Sequence, residues 1–202
     1  IYMKNLKLLL VFIILSNVIS SQNYFLENYK PYNNSILSPE EFLGYEIGFQ
    51  HTRHDQIVSY LTYLSTVSNK ADLINYGKTH EGRYLIILTV TSESNLNRLD
   101  DIQKEHLKNT VPGASVSLNN DLPIIINLGY GVHGNEPSSS EAALLTAYTL
   151  VASKNKKIEK FRQQSVVFID PTINPDGRDR HTQWANQNKS INLVADQYDS
   201  EH

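Results

Sequence analysis

The sequence predicts an α/β domain with a mixed, largely parallel central sheet flanked by helices. Two continuous apolar runs, PIIINL at 123–128 and SVVFI at 165–169, are typical of strands that are buried on both faces. Between them, an Ala- and Leu-rich segment at 138–153 has the composition of a packed helix. A strand, helix, strand order indicates a parallel pair of strands joined by a crossover helix.

Two further strands are predicted before this unit, at 73–76 and 84–91. The segment between them contains Gly77 and Gly82, which suit a tight turn, so we expect an antiparallel hairpin.

Helices are predicted from their starting residues and their apolar spacing. Ser38-Pro39-Glu40-Glu41 combines a capping hydroxyl, a proline at the first position and acidic residues near the positive end of a helix. Apolar residues at helical spacing predict a second helix at 55–68, and a polar amphipathic helix follows at 96–108. Ser138 and Glu141 predict a capping box at the start of the crossover helix.

Composition narrows the classes of function. The chain has 202 residues, of which 40% are hydrophobic and 19% charged, with a formal net charge of -3. These values are typical of a globular protein and do not favour a nucleic-acid partner or a polybasic membrane patch. The chain contains no cysteine, so any metal must be held by His, Asp or Glu.

The first twenty residues are predicted to be a secretory signal peptide. Lys4 and Lys7 precede an apolar run at 8–15, which is too short to span a bilayer. We therefore expect an exported protein, secreted or periplasmic, with no membrane association after cleavage; a retained anchor is the alternative. An extended lead-in is predicted at 21–37, and one domain from 38 to 202.

Polar residues follow the predicted strand at 123–128, and ligands of open α/β sheets bind beyond the carboxyl ends of strands. His133 and Glu136 combine an imidazole and a carboxylate, which suit a catalytic zinc site, and Gly134 lets the backbone bend between them. A solvated loop with a helix-capping acid is the alternative. The other histidines in the body of the chain are predicted to be solvated: His51, His54, His80, His106 and His181.

Three motifs, taken together and in this order, resemble the carboxypeptidase A-like zinc metallocarboxypeptidases. They are GKTHEGR at 77–83, GVHGNE at 131–136 and NPDG at 174–177. The resemblance implies a zinc carboxypeptidase-like fold and hydrolysis of C-terminal peptide bonds in a peptide or protein substrate. It further implies one Zn²⁺ per active site, bound by His133, Glu136 and a second His, with a water in the open position.

In the family, the second His and a glutamate general base lie well downstream. The resemblance therefore implies that residues 38–202 are the N-terminal part of a catalytic domain, truncated at the C-terminus and inactive alone, with the general base beyond residue 202. Arg178 and Arg180 are candidates for binding the substrate carboxylate, because arginine binds carboxylates bidentately; surface charge is the alternative. Asp176 and Gly177 are interpreted as turn formers.

Two other functions stay open at this point. The string HGNE at 133–136 is also similar to the zinc deacylases of the succinylglutamate desuccinylase and aspartoacylase type. A non-catalytic relative that keeps the scaffold and binds peptide is the other alternative, because a fold does not prove activity. The oligomeric state is not predicted.

Overall fold

The computed structural model describes residues 25–112 and 121–188, so the predicted signal peptide lies outside the described residues. Within these two ranges, no helix combines the length and apolar character needed to cross a membrane. The helices and strands are, in chain order, α1 (Pro39–Leu43), α2 (His54–Val67), β1 (Ala71–Lys78), β2 (Tyr84–Val90), α3 (Glu93–Leu96), α4 (Leu99–Lys108), β3 (Ile124–Gly129), α5 (Pro137–Ala152), α6 (Lys156–Gln164), β4 (Ser165–Asp170) and α7 (Pro175–Gln187).

The four strands form one mixed sheet in the order β1-β2-β4-β3. β1 and β2 are antiparallel, with an irregularity between Asn75 and Gly77, which confirms the predicted hairpin. β2 is antiparallel to β4, and β3 is parallel to β4. The mixed α/β sheet flanked by helices is confirmed, and so is the parallel pair, although two helices, α5 and α6, connect its strands where one was predicted. In the described part, however, only one of the three pairings is parallel, so the sheet is less parallel there than expected.

β3 lies at the edge of the described sheet, whereas β4 lies between two strands. Ile124 and Ile125 of β3 are 58% and 44% exposed, while Val166, Val167 and Ile169 of β4 are buried. The prediction that both strands are buried on both faces is therefore correct for β4 and wrong for β3. A continuous apolar run indicates that both faces of a strand suit burial. Whether they are buried depends on helices and strands from other parts of the chain.

The hydrophobic core joins α2, α5 and the central strands. Apolar residues three or four positions apart put one stripe of each helix against the sheet, as the helical period requires. The buried apolar residues at the centre of this core are Ile57, Tyr60, Leu61, Leu64, Leu88, Val90, Ala143, Leu144, Ala147, Val151, Val167 and Ile169.

The N-terminal cap predicted for α1 is present in the structure, whereas the one predicted for α5 is not. At α1, Glu41 N donates to Ser38 Oγ (3.2 Å) and Ser38 N donates to Glu41 Oε2 (2.8 Å), so the predicted cap is confirmed. At α5, the N-cap is Glu136 and the helix begins at Pro137, so the capping box predicted from Ser138 and Glu141 is wrong. The Glu141 side chain is instead buried in the protein interior.

The residues before α1 pack against the domain. Ile36 belongs to the hydrophobic core, and the Tyr32 ring stacks on that of Tyr148 with the centroids 4.8 Å apart. Asn33 N also donates to the Ala152 carbonyl oxygen (2.9 Å). The packed body therefore includes residues before position 38, where the sequence had suggested a boundary.

Candidate active site

The loops that follow β3 and β4 lie side by side, because the two strands are parallel and end at the same edge of the sheet. Tyr130 N donates to the Asp170 carbonyl oxygen (2.9 Å), and Ile173 N donates to that of Tyr130 (2.8 Å). Asn174 N then donates to the Gly131 carbonyl oxygen (3.0 Å). These bonds bring the HGNE and NPDG motifs together.

His133 and Glu136 lie in the connection between β3 and α5, residues 130–136, which we call the candidate metal loop. Glu136 N donates to the His133 carbonyl oxygen (3.1 Å), which closes a turn between the two residues. Both side chains are exposed, and neither forms a hydrogen bond or an ion pair with the described residues. The imidazole and the carboxylate are therefore available as ligands.

This pair of donors fits part of a zinc site. Catalytic zinc is typically held by three protein ligands, and a His nitrogen with a Glu oxygen is a suitable pair among them. Across residues 25–112 and 121–188, no three His, Cys, Asp or Glu side chains come together in a way that could hold a metal. The described residues therefore offer two candidate ligands and no candidate for a third.

Two glycines shape the candidate metal loop in different ways. Gly131 has φ +64°, and a Cβ there would lie 2.8 Å from Ser140 Oγ and 3.3 Å from Thr172 Cα. Gly134, which we expected to supply the bend, has no positive φ. A Cβ on Gly134 would instead overlap the carbonyl group of Gly177. Gly131 therefore allows the turn, and Gly134 allows two backbone segments to touch.

Arg178 is only 1% exposed and donates from three nitrogens to protein acceptors. Nε donates to the Thr52 carbonyl oxygen (3.0 Å), Nη1 to the Pro137 carbonyl oxygen (3.0 Å) and Nη2 to Glu141 Oε1 (2.6 Å). Burial lowers the pKa of the Arg178 guanidinium, and the Glu141 carboxylate opposes that effect. This arrangement does not support the prediction that Arg178 binds substrate, and we replace it with a structural role.

Arg180 lies on the same helix and has a different environment. Its side chain is exposed, with no hydrogen bond or ion pair to any residue that the structure describes. Substrate binding by Arg180 stays a prediction.

The hairpin turn between β1 and β2 docks on the start of α7. Arg83 Nε donates to Asp179 Oδ2 (2.6 Å), Arg83 Nη1 donates to Asp176 Oδ1 (2.8 Å), and Arg83 also pairs with Glu81. Thr79 Oγ1 donates to Asp176 Oδ1 as well (2.7 Å). The hydrogen bonds to Glu81, Asp176 and Asp179 raise the pKa of Arg83. The interpretation of Asp176 and Gly177 as turn formers is wrong, because both lie in the first turn of α7; the Asp176 carboxylate anchors the hairpin there.

His54 is a buried residue that sequence reasoning missed. Its Nε2 donates to the Tyr84 carbonyl oxygen (2.8 Å), and its backbone N donates to Asp179 Oδ1 (2.9 Å). Burial lowers the pKa of the His54 imidazole. The prediction that His54 is solvated is wrong. Its spacing from Ile57 and Leu61 places it on the apolar stripe of α2, and that signal could have identified it.

The fold and the candidate metal loop together define an α/β domain with two potential metal ligands beyond a strand end, an arrangement suited to a metal-dependent hydrolase. The chain belongs to the zinc carboxypeptidase family, whose model matches residues 57–196. This match confirms the resemblance that the three motifs indicated. No curated protein shows a significant match to the chain.

Several solved carboxypeptidase structures are similar to this chain. Thrombin activatable fibrinolysis inhibitor is 16% identical, with 65% of this chain and 27% of that chain covered and a TM-score of 0.48. Carboxypeptidase A from Helicoverpa armigera is 17% identical, with 83% and 35% covered and a TM-score of 0.47. A metallo-carboxypeptidase from Burkholderia cenocepacia is 15% identical, with 64% and 28% covered and a TM-score of 0.44.

The chain spans between 27% and 35% of the length of these three proteins.

Proposed function

We propose that this protein is part of a zinc-dependent metallocarboxypeptidase in which His133 and Glu136 supply two of the zinc ligands. One observation carries the proposal: in a chain of the zinc carboxypeptidase family, both side chains are exposed and unengaged by described residues on one short loop beyond β3. An imidazole and a carboxylate are a ligand pair that suits catalytic zinc.

The reaction that this proposal implies is hydrolysis of the C-terminal peptide bond of a peptide or protein. A bound zinc ion supplies Lewis acidity, lowering the pKa of a water and polarising the scissile carbonyl. The chain itself holds the two ligands, through the turn at His133 and through Glu136 as the N-cap of α5. We propose that the third ligand and the general base come from outside the described residues. Residues 25–112 and 121–188 alone, with two candidate ligands, are then expected to bind zinc weakly and to be inactive.

The remaining parts of the proposal concern the protein's surroundings. A substrate carboxylate would bind an exposed arginine, and Arg180 is the candidate on α7. Export follows from the predicted signal sequence at 1–20, and a net charge of -3 favours no nucleic-acid partner.

Zinc binding is the first test. Zinc affinity would be measured by competition with a chromophoric chelator for the 202-residue chain and for His133→Ala and Glu136→Gln. His80→Ala is the matched control, because His80 is an exposed histidine in the hairpin turn. We expect both loop variants to bind zinc only at a non-specific level and the control to bind like the wild type. Wild-type affinity in His133→Ala would overturn the assignment.

Substrate class is the second test, made on the protein as isolated from its natural source. Amine release would be compared for N-blocked peptides with a free C-terminus, the same peptides amidated, and N-succinylglutamate or N-acetylaspartate. Cleavage that requires the free carboxylate supports a carboxypeptidase. Cleavage of only the N-acyl amino acids would indicate a deacylase. Binding of the peptide without cleavage would indicate a non-catalytic relative.

A further inference from the structure

We propose that Arg178 and Glu141 are positioning residues that hold the candidate metal loop in place for metal binding, an inference that rests on the proposed function. Neither residue is a candidate ligand, because each is buried and engaged with the other. Their effect on the metal would act through the backbone of the loop and through the start of α5.

The first line of support is the way Arg178 holds α5. Pro137 directly follows Glu136, and its carbonyl oxygen accepts a hydrogen bond from Arg178 Nη1 (3.0 Å). Glu141 lies about one helical turn further along α5 and accepts from Arg178 Nη2 (2.6 Å). Two attachment points one turn apart fix both the position of the helix start and its rotation about the helix axis. The direction of the Glu136 backbone depends on both.

A second line of support comes from the middle of the loop. The backbone of Gly134 packs so closely on that of Gly177 and on Arg178 N that no side chain fits between them. Arg178, the α7 residue that binds α5, therefore also forms part of the surface against which the candidate metal loop packs.

At the beginning of the loop, backbone bonds complete the support. Gly131 N donates to Ser139 Oγ (2.8 Å), and Asn174 N donates to the Gly131 carbonyl oxygen (3.0 Å). The loop is thus held at its start, middle and end, while the His133 and Glu136 side chains stay exposed.

The chemistry of the pair suits positioning. Glu141 accepts from Thr52 N (2.8 Å) and Thr52 Oγ1 (2.7 Å), and Arg178 Nε donates to the Thr52 carbonyl oxygen (3.0 Å). A buried ion pair is weak evidence for stability, and fixing one arrangement is the role that such pairs have in some proteins. The planar guanidinium binds in three set directions here, which a lysine ammonium cannot reproduce.

The most informative variant is therefore Arg178→Lys, which keeps the positive charge and removes the planar guanidinium group with its three directed hydrogen bonds. Arg98→Lys, at an exposed arginine that directly precedes α4, is the matched control. Zinc affinity would be measured below the melting temperature of each variant, with circular dichroism confirming the fold. We expect about a 10–100-fold weaker zinc affinity for Arg178→Lys, the range seen for residues that orient ligands. A folded Arg178→Lys protein with wild-type affinity would overturn the proposal.

Hydrogen exchange supplies a readout that needs no metal. In zinc-free protein, we expect faster exchange of the amides at 131–136 in Arg178→Lys, with β1 and β2 unchanged. Glu141→Gln is the second variant, should Arg178→Lys fail to fold. If hydrogen exchange became faster by the same factor throughout the protein, Arg178 and Glu141 would only stabilise the fold as a whole, and the inference would be wrong. If the wild-type protein binds zinc no more tightly than His133→Ala does, the proposed function fails. The hydrogen-exchange result still decides, independently of zinc, whether Arg178 positions the loop.

Discussion

Arg83 donates from Nε to Oδ2 of Asp179 at 2.6 Å, and these two residues are 96 positions apart in the chain. The bond joins the hairpin turn that follows β1 to helix α7, which begins within the NPDG motif. Backbone contacts then join the start of α7 to the candidate metal loop at Gly134. The three motifs that indicated the family therefore touch one another in series: the hairpin contacts the start of α7, and the start of α7 contacts the loop that carries the candidate ligands.

Replacing Arg83 by Met should release the hairpin turn from α7. Arg83→Met removes the hydrogen bonds to Asp176 and Asp179, and we expect a loss of about 1–3 kcal/mol in the free energy of unfolding, near the lower end because the side chain is partly exposed. Urea unfolding measures the loss, and hydrogen exchange at 78–83 locates it. Lys160→Met, an exposed residue of α6, is the control. Unchanged exchange in the turn would contradict the docking role.

A methyl group at position 134 should not be tolerated. Gly134→Ala places a Cβ where it overlaps the Gly177 carbonyl group, and we expect a loss of stability of about 1–3 kcal/mol or more, because the contacted atoms are backbone. Gly77→Ala is the control, since its Cβ would meet only Leu85 Cδ1 at 3.9 Å. Thermal unfolding of the two variants makes the comparison. Equal melting temperatures would show that the two segments can separate at little cost.

Breaking the buried ion pair should cost much more than breaking an exposed one. Arg178→Met leaves Glu141 charged and buried without its guanidinium partner, and we expect a loss of about 3–5 kcal/mol. Lys104→Met breaks the exposed pair with Asp101, and we expect a change below about 1 kcal/mol. Urea denaturation at neutral pH gives both values. Similar losses in the two variants would mean that water enters the Arg178 site freely.

Stability should fall as the pH drops below about 6.5, the ordinary pKa of histidine. Burial lowers the pKa of His54, and the hydrogen bond to the Tyr84 carbonyl oxygen and the nearby Asp179 carboxylate only partly oppose this effect. The unfolded state therefore takes up a proton at a higher pH than the folded state. The free energy of unfolding then decreases by at most about 1.4 kcal/mol per pH unit for this group, until the pH reaches the folded-state pKa.

His54→Gln should remove this contribution and flatten the profile of unfolding free energy against pH, measured by urea denaturation between neutral and mildly acidic pH. His181 contributes in the same direction, because burial and Arg178 lower its pKa as well, so the flattening is partial. His80→Gln, at an exposed position, should keep the wild-type profile. A profile for His54→Gln as steep as that of the wild type would exclude His54 as a source of the pH dependence.

Several parts of the fold could be predicted because their signals are local. The Ser38 cap depends on residues three positions apart, and the hairpin depends on two apolar runs and the glycines between them. Parallel pairing of β3 and β4 follows from the helical connection between them. The same reasoning placed His133 and Glu136 on one loop beyond a strand.

Other residues were predicted incorrectly because their surroundings come from distant parts of the chain. Glu141 carries a local capping pattern but pairs with Arg178, 37 positions away. His54 has polar neighbours in the sequence and is covered by the hairpin and α7. β3 has the composition of an interior strand, yet it forms an edge of the described sheet.

The sequence by itself determined the type and order of most helices and strands, the class of the fold, and the two candidate ligands. Those features depend on side-chain period, capping and turn chemistry within a few residues of chain. Only the tertiary structure decided which charged residues are buried, which glycine allows two backbones to touch, and what supports the candidate metal loop. The physical reason is that burial and ion pairing are properties of three-dimensional neighbours, and the chain brings those neighbours together from positions that no local pattern relates.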